Sequence, residues 1–220
     1  MKNTITISNE LSQIMIVVPC VLTTAGIIHQ LKIGPGIKEA INIIRNIDGA
    51  YDEVLKTPGS IVVLNISNSS KQLADEIRFI KWYRKEQPNR NIVIYTHNHK
   101  VSILKYLSSL GVRVIISQYE LPTIFMELLI KSLSSSITLH SPMIKKILQE
   151  QLSCELTLCE IQVIEQLFLG HNVTQIAQHL GRDIRTVSSH KRHAMQKLGL
   201  HCDKDLHVLS CEITGKSLFL

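Results

Sequence analysis

Between Ser12 and Leu133, short β-branched runs alternate with longer stretches whose apolar residues recur at helical spacing. That alternation is the pattern of an α/β domain built on a parallel sheet. The runs are QIMIVV, INIIRN, SIVVLNI, NIVIYT and VRVIIS. After them come Thr23 to Leu31, Gly49 to Lys56, Leu73 to Gln87, Lys100 to Leu110 and Leu121 to Leu133, each predicted as a crossover helix. Pro88 and Asn89 close the third helix, and Gly111 follows the fourth, where a left-handed cap is wanted. The expected architecture is a doubly wound parallel sheet of five strands and five helices.

After Leu133 the pattern breaks into SSSITLHSP, a Ser-rich stretch interrupted by Pro142 that reads as an interdomain tether, followed by a brief helical pattern from Met143 to Leu152. An all-α unit follows. Thr157 and Glu160 form a capping box, and Ile161, Ile164, Leu167 and Phe168 recur at helical spacing until Gly170. Asn172 caps a short second helix, Val173 to Leu180, with Ile176, Ala177 and Leu180 inward and Gly181 as its stop; Asp183 caps a third. A fourth helix runs from Asp203 to Ile213, with Leu206, Leu209 and Ile213 in phase. The expected division is 1–134 for the sheet domain, 135–152 for the tether and 153–220 for the helical domain.

Two helices joined by a tight Gly-containing turn, the second of them basic, have the sequence form of a helix-turn-helix. With Val187 at the centre of the third helix's inner face, Ile184, Ala194, Met195 and Leu198 fall within about 80° of it at 100° per residue and are predicted as core. Arg185, Ser189, Arg192 and Gln196 take the opposite face, flanked by Ser188 and His193. Such a polar surface can read a groove: Arg pairs bidentately with guanine, and Ser hydroxyls meet base or phosphate. The candidate DNA contacts are Thr174, Arg182, Arg185, Thr186, Ser188, Ser189, Lys191, Arg192, His193 and Lys197, with base readout assigned first to Ser188, Ser189 and Arg192. Lys191 is the odd member, because it lies about 40° from the core centre, where an apolar residue is expected. Its stem can pack while the ammonium snorkels to a phosphate. His190, at the other border, reads equally as a packing residue or a phosphate donor.

Charge fits that assignment. The chain of 220 residues has a formal net charge of +6 and is 45% hydrophobic, enough for two cores. Residues 154–220 carry 7 Lys/Arg and 7 Asp/Glu, but between positions 182 and 197 five cations face only Asp183. A basic element therefore sits on a neutral body, and its partner is anionic. The first ten residues are polar and no apolar run reaches the roughly 18 residues of a membrane span, so no signal peptide or membrane partner is expected and the location is cytoplasmic. Cys20, Cys154, Cys159, Cys202 and Cys211 show no CxxC spacing and read as reduced thiols. Cys202 with His201 or His207 matches no common zinc pattern, so no metal is expected.

In open sheets of this kind, chemistry gathers at the carboxyl ends of the strands. Those ends read Val17-Val18-Pro19-Cys20, Leu64-Asn65, Thr96-His97-Asn98 and Ile116-Ser117-Gln118, without a carboxylate. Mg²⁺ wants hard oxygen ligands and an aspartyl phosphate needs an aspartate, so neither is on offer. No nucleophile and base converge, and no catalytic residue or cofactor is expected. His97 and His99 read as a solvated loop. The basic run Lys81, Arg84, Lys85 and Arg90 reads as a solvated helix face that can add attraction for DNA from a distance; Trp82 among them is core or contact surface.

The order of strands and helices, with the segment that follows, resembles the receiver domain of two-domain bacterial response regulators, a flavodoxin-like fold. On that match the acidic pair falls on Val18 and Pro19, the phosphorylated aspartate on Asn65 and the strand-five lysine on Ser117; the strand-four hydroxyl is kept as Thr96. The resemblance thus covers the fold while the phosphorylation chemistry is missing. Residues 156–200, LTLCEIQVIEQLFLGHNVTQIAQHLGRDIRTVSSHKRHAMQKLGL, resemble the LuxR-type helix-turn-helix of the NarL/FixJ group. Its usual features stand here as Leu156-Thr157, Glu160, Val163-Ile164, Gly170, Ile176-Ala177, Leu180, Thr186-Val187, His190 and Lys197-Leu198-Gly199. TVSSHKR and the altered receiver are similar to the capsule-regulator (Rcs) and BglJ-like group. The resemblance implies a transcription regulator that binds double-stranded DNA, pairs with itself or a related response regulator through the fourth helix, and works unphosphorylated. The alternative is a modulator that heterodimerises with, or sequesters, another response regulator.

Overall fold

The computed structural model describes residues 14–33, 41–57, 60–134, 137–149 and 155–216. Cys154 and the expected domain boundary at residue 153 lie outside them. Six parallel strands form one sheet in the order β2-β1-β3-β4-β5-β6: β1 (Ile14–Val17), β2 (Ile41–Ile44), β3 (Ile61–Ile66), β4 (Ile92–Thr96), β5 (Val114–Ser117) and β6 (Leu139–His140). The order reverses between β1 and β3, which marks the switch point of a doubly wound sheet. The connecting helices are α1 (Val21–Ile33), α2 (Ile47–Lys56), α3 (Ser70–Glu86), α4 (Val101–Ser109) and α5 (Pro122–Ser134).

Strand residues divide by parity. Ile14, Ile16, Val63, Val114 and Ile116 meet Ile27 and Leu31 of α1 and Phe125 and Leu129 of α5. Met15, Val17, Val62, Leu64 and Ile94 point the other way, onto α2, α3 and α4. Burial on both faces is what a parallel sheet with crossovers on both sides demands, and it explains why the strands read as unbroken apolar runs. Trp82 is half-buried in an aromatic group with Tyr51 and Phe79, at centroid distances of 4.7 and 5.7 Å.

Within the stretch read as a tether, the structure has an unexpected strand, and the brief helical pattern from Met143 is a helix. The Leu139 amide donates to the Arg113 carbonyl (2.8 Å), pairing β6 with β5, and α6 (Pro142–Gln149) packs on β5 and α4 through Ile144 and Leu148. A two-residue strand has no periodicity to detect, and three serines disguise it.

Glu76 of α3 is buried, and its carboxylate accepts the Ser67 amide (2.8 Å) in the loop after β3. Burial pushes its carboxyl up to about 7, overriding that hydrogen bond. A carboxyl raised on folding contributes fully below its unfolded value of 4.5 and loses that contribution as pH rises through 7. Glu76→Gln keeps an acceptor for Ser67 and removes the charge. The wild type should therefore lose about 2 kcal/mol relative to Glu76→Gln between pH 5 and pH 8, read as the difference in urea midpoints. Parallel pH profiles for the two proteins would refute this.

The C-terminal helices are α7 (Leu158–Phe168), α8 (Val173–Leu180), α9 (Ile184–Leu198) and α10 (Asp203–Thr214). Val163, Ile176, Ala177 and Val187 make a small core among α7, α8 and α9. A larger core runs on into the sheet domain: α10 lies along α3 and α9 against α4, and the Tyr106 ring meets Phe168 edge-on at 5.5 Å. Lys81 with Glu165 (2.7 Å) and Lys100 with Glu212 form ion pairs across the joint. No helix of the described residues is long and apolar enough to cross a membrane.

Candidate nucleic-acid interface

Capping side chains fix the ends of each helix around the turn. Thr157 and Glu160 close a reciprocal capping box on α7, and Asn172 and Gln175 close another on α8. Gly181 ends α8 at φ +59°, a left-handed conformation that glycine adopts without Cβ strain. The Asp183 carboxylate then accepts the Arg185 amide (2.7 Å) and starts α9, which stops at Gly199, φ +74°. The turn between α8 and α9 is thus set by one glycine and one cap.

Val187, Ala194 and Leu198 are buried, as the wheel requires, and Met195 is half-buried. Ile184, expected in the core, is 49% exposed, because it opens the helix a full turn before Val187, where packing on α7 and α8 begins. Thr174, Arg182, Arg185, Thr186, Arg192 and His193 are exposed, and Ser188, Ser189 and His190 are half-buried. The first six form a polar surface with two arginines on α9 and a third in the turn before it.

Lys191 and Lys197 are engaged within the protein. Lys191 Nζ lies 2.8 Å from Asp203 Oδ1 at the start of α10, which accounts for a lysine near the core border: its stem packs and its ammonium bridges two helices. Lys197 Nζ donates to Glu160 Oε2 (2.8 Å) and to the Glu155 carbonyl (3.1 Å). Burial alone would raise the Glu160 carboxyl, but hydrogen bonds from Lys197 and Thr157 outweigh it and hold it below the ordinary range. Both pairings cross between helices and carry no fixed spacing in the sequence, which marks Glu160 only as a cap.

At the carboxyl end of the sheet, Val18 is buried and Pro19 exposed. Asn65 Oδ1 accepts Gln118 Nε2, which also donates to the Tyr95 carbonyl (3.1 Å). Thr96 Oγ1 donates to the Ile66 carbonyl (3.1 Å) and accepts the Asn98 amide (2.9 Å). Ser117 Oγ accepts the Tyr119 amide (3.1 Å) and lies 2.9 Å from His99 Nε2. His99 is tied into the pocket, with its pKa lowered by burial and by the neighbouring His97. An amide bridge from Asn65 of β3 to Gln118, the residue after β5, thus crosses the carboxyl end of β4.

Residues 155–210 match the family of bacterial regulatory proteins, luxR family. The chain is 26% identical over 183 residues to the transcriptional regulatory protein RcsB of Escherichia coli (strain K12), covering 76% of this chain and 84% of that protein, and the same holds for RcsB of Shigella flexneri. Among solved structures it is similar to two RcsB dimers bound to two parallel DNAs, with a TM-score of 0.60 at 21% identity over 92% of this chain and 99% of that one. It is also similar to the isolated REC domain of RcsB from Salmonella enterica serovar Typhimurium, with a TM-score of 0.55 at 16% identity over 62% and 98%. Together these findings identify a luxR-family helix-turn-helix domain in residues 155–210, set behind a receiver-like parallel sheet.

Proposed function

We propose that the chain is a sequence-specific DNA-binding transcription regulator that acts as a homo- or heterodimer without aspartyl phosphorylation. One observation carries the reading: Arg185, Thr186, Arg192 and His193 stand exposed on a helix capped at both ends. One helix spans few base pairs, so affinity and specificity call for two half-sites read together. The RcsB dimers on DNA support such pairing, with a second copy or a related response regulator as partner. The sheet-end pocket supports the remaining clause. Asn65 carries an amide that a phosphodonor cannot convert to an acyl phosphate, and Val18 and Pro19 supply no side-chain oxygen for Mg²⁺.

In this reading the sheet unit runs on through α6, the helix-turn-helix unit occupies 153–220, and the protein is a cytoplasmic binding protein rather than an enzyme. Selection from random duplexes by the full chain, with its receiver-bearing partner absent and then present, should enrich a site of two related halves. Enrichment of no sequence under both conditions would overturn the DNA reading. Incubation with acetyl phosphate and Mg²⁺ should leave the mass of the chain unchanged; a stable added phosphoryl group would overturn the phosphate-free switch.

A further inference from the structure

Three arginines gather at the amino-terminal edge of the sheet, opposite the altered pocket. Arg84 is in the last turn of α3, Arg90 in the turn before β4, and Arg113 immediately before β5; all are half-buried. Arg84 lies against Gly111, where a Cβ would come within 3.1 Å of its Nε and 3.3 Å of its Nη2, and its Nη1 donates to the Arg90 carbonyl (3.0 Å). Arg113 precedes Val114, whose register partner is Val93, so it stands beside the turn that carries Arg90. Its own carbonyl is fixed by the Leu139 amide. Burial, then the charge of Arg113, lowers the Arg84 pKa, and the charges of Arg90 and Arg84 both reach the Tyr83 phenol.

Among the described residues no carboxylate pairs with any of the three, and the Arg90 and Arg113 guanidinium groups make no hydrogen bond. The negative ends of α3 and α4 favour a cation each. They do not account for three cations brought together partly out of water, an arrangement that repels until an anion joins it. The planar forks of guanidinium match phosphate oxygens in pairs. Each phosphodiester of DNA carries one charge, whereas a terminal phosphate or a pyrophosphate concentrates two or more on one small group. We propose that Arg84, Arg90 and Arg113 bind a small, multiply charged phosphoanion at the amino-terminal edge of the sheet, a ligand site separate from the reading helix and from the Asn65 pocket.

The test uses the full chain and sodium pyrophosphate, with sodium chloride added to keep ionic strength constant. Wild-type protein and Lys85→Gln, an exposed charge on the same helix, should show a saturable rise in melting temperature of about 5–10 °C at a hundredfold excess over Kd. Arg90→Gln and Arg113→Gln should lose that rise while melting, without anion, no lower than wild type. An equal rise in all four proteins overturns the site, as does a rise reproduced by chloride alone. So does a lower anion-free melting temperature in both arginine variants, which would make the cluster structural. Affinity for a mixed-sequence 20-base-pair duplex should change less than about twofold in Arg113→Gln. A larger loss would assign the cluster to the DNA backbone and overturn the small-ligand proposal.

Discussion

Glu160→Ala is expected to cost the helix-turn-helix unit about 3 kcal/mol, the largest single effect among its polar residues. Glu160 is only 4% exposed, and one of its oxygens holds both the Thr157 amide (2.7 Å) and Lys197 Nζ (2.8 Å). Truncation removes half of the capping box, worth about 1 kcal/mol. It also strands a half-buried ammonium whose remaining partner is the Glu155 carbonyl, an imbalance of about 2 kcal/mol. Glu160→Gln separates the two contributions, because its amide oxygen can still accept the Thr157 amide while the charge for Lys197 is gone; about two thirds of the loss should remain. The carboxyl is held below its ordinary range, so its contribution is present above the unfolded pKa and fades as pH falls through the folded one. Urea unfolding of the three proteins at neutral and acidic pH checks this, and a cost below about 0.5 kcal/mol for Glu160→Ala would show that the pair contributes little.

That ion pair also bears on DNA binding, because it ties the last turn of α9 to the first turn of α7. Lys197 thereby fastens the end of α9 to α7, and Lys191, through Asp203, ties the same helix to α10. Two of the five cations in the basic stretch are thus held within the protein, and Arg182, Arg185 and Arg192 are left exposed. A wheel drawn for one helix sees only that helix. It finds the polar face of α9 and flags Lys191, but Asp203 belongs to another helix and no spacing rule links the two.

The same limit explains what else was legible. β1, β3, β4 and β5 are plain in the sequence because each is buried on both faces and reads as an apolar run bounded by turns, while the half-buried edge strand β2 shows by its isoleucines alone. β6 escapes because two residues among serines have no period. The joint between the units escapes for a different reason. Phe79 and Ile80 of α3 and Tyr106 of α4 belong to a core that includes Leu206, Leu209 and Ile213 of α10. An amphipathic helix announces that one face is covered but not by what. The resemblance expects α10 to pair with a second copy or a related response regulator, whereas here its apolar face lies on α3, so pairing through that face requires α3 to release it. Lys81–Glu165 and Lys100–Glu212 are half-exposed pairs at that joint, so salt favours the release only weakly.

Arg192→Ala should weaken binding to the selected operator by about 1–3 kcal/mol and relax the preference at one base pair in each half-site. Arg192 is exposed, forms no ion pair among the described residues, and stands opposite Val187, the residue that anchors α9 in its core. It is therefore free to make two hydrogen bonds to guanine, a geometry that lysine cannot reproduce. Arg182, exposed in the turn before α9, supplies the contrast, and a phosphate contact is the expected role of a charge there. Arg182→Ala should weaken binding to all sequences alike and lower the salt dependence by about one counterion. Affinities measured on the operator and on variants carrying one altered base pair, at two salt concentrations, distinguish the two arginines. Equal loss on every sequence in Arg192→Ala would make it a phosphate clamp, and base readout would then fall to Ser188 and Ser189, whose half-buried hydroxyls need closer approach of the helix to the groove floor.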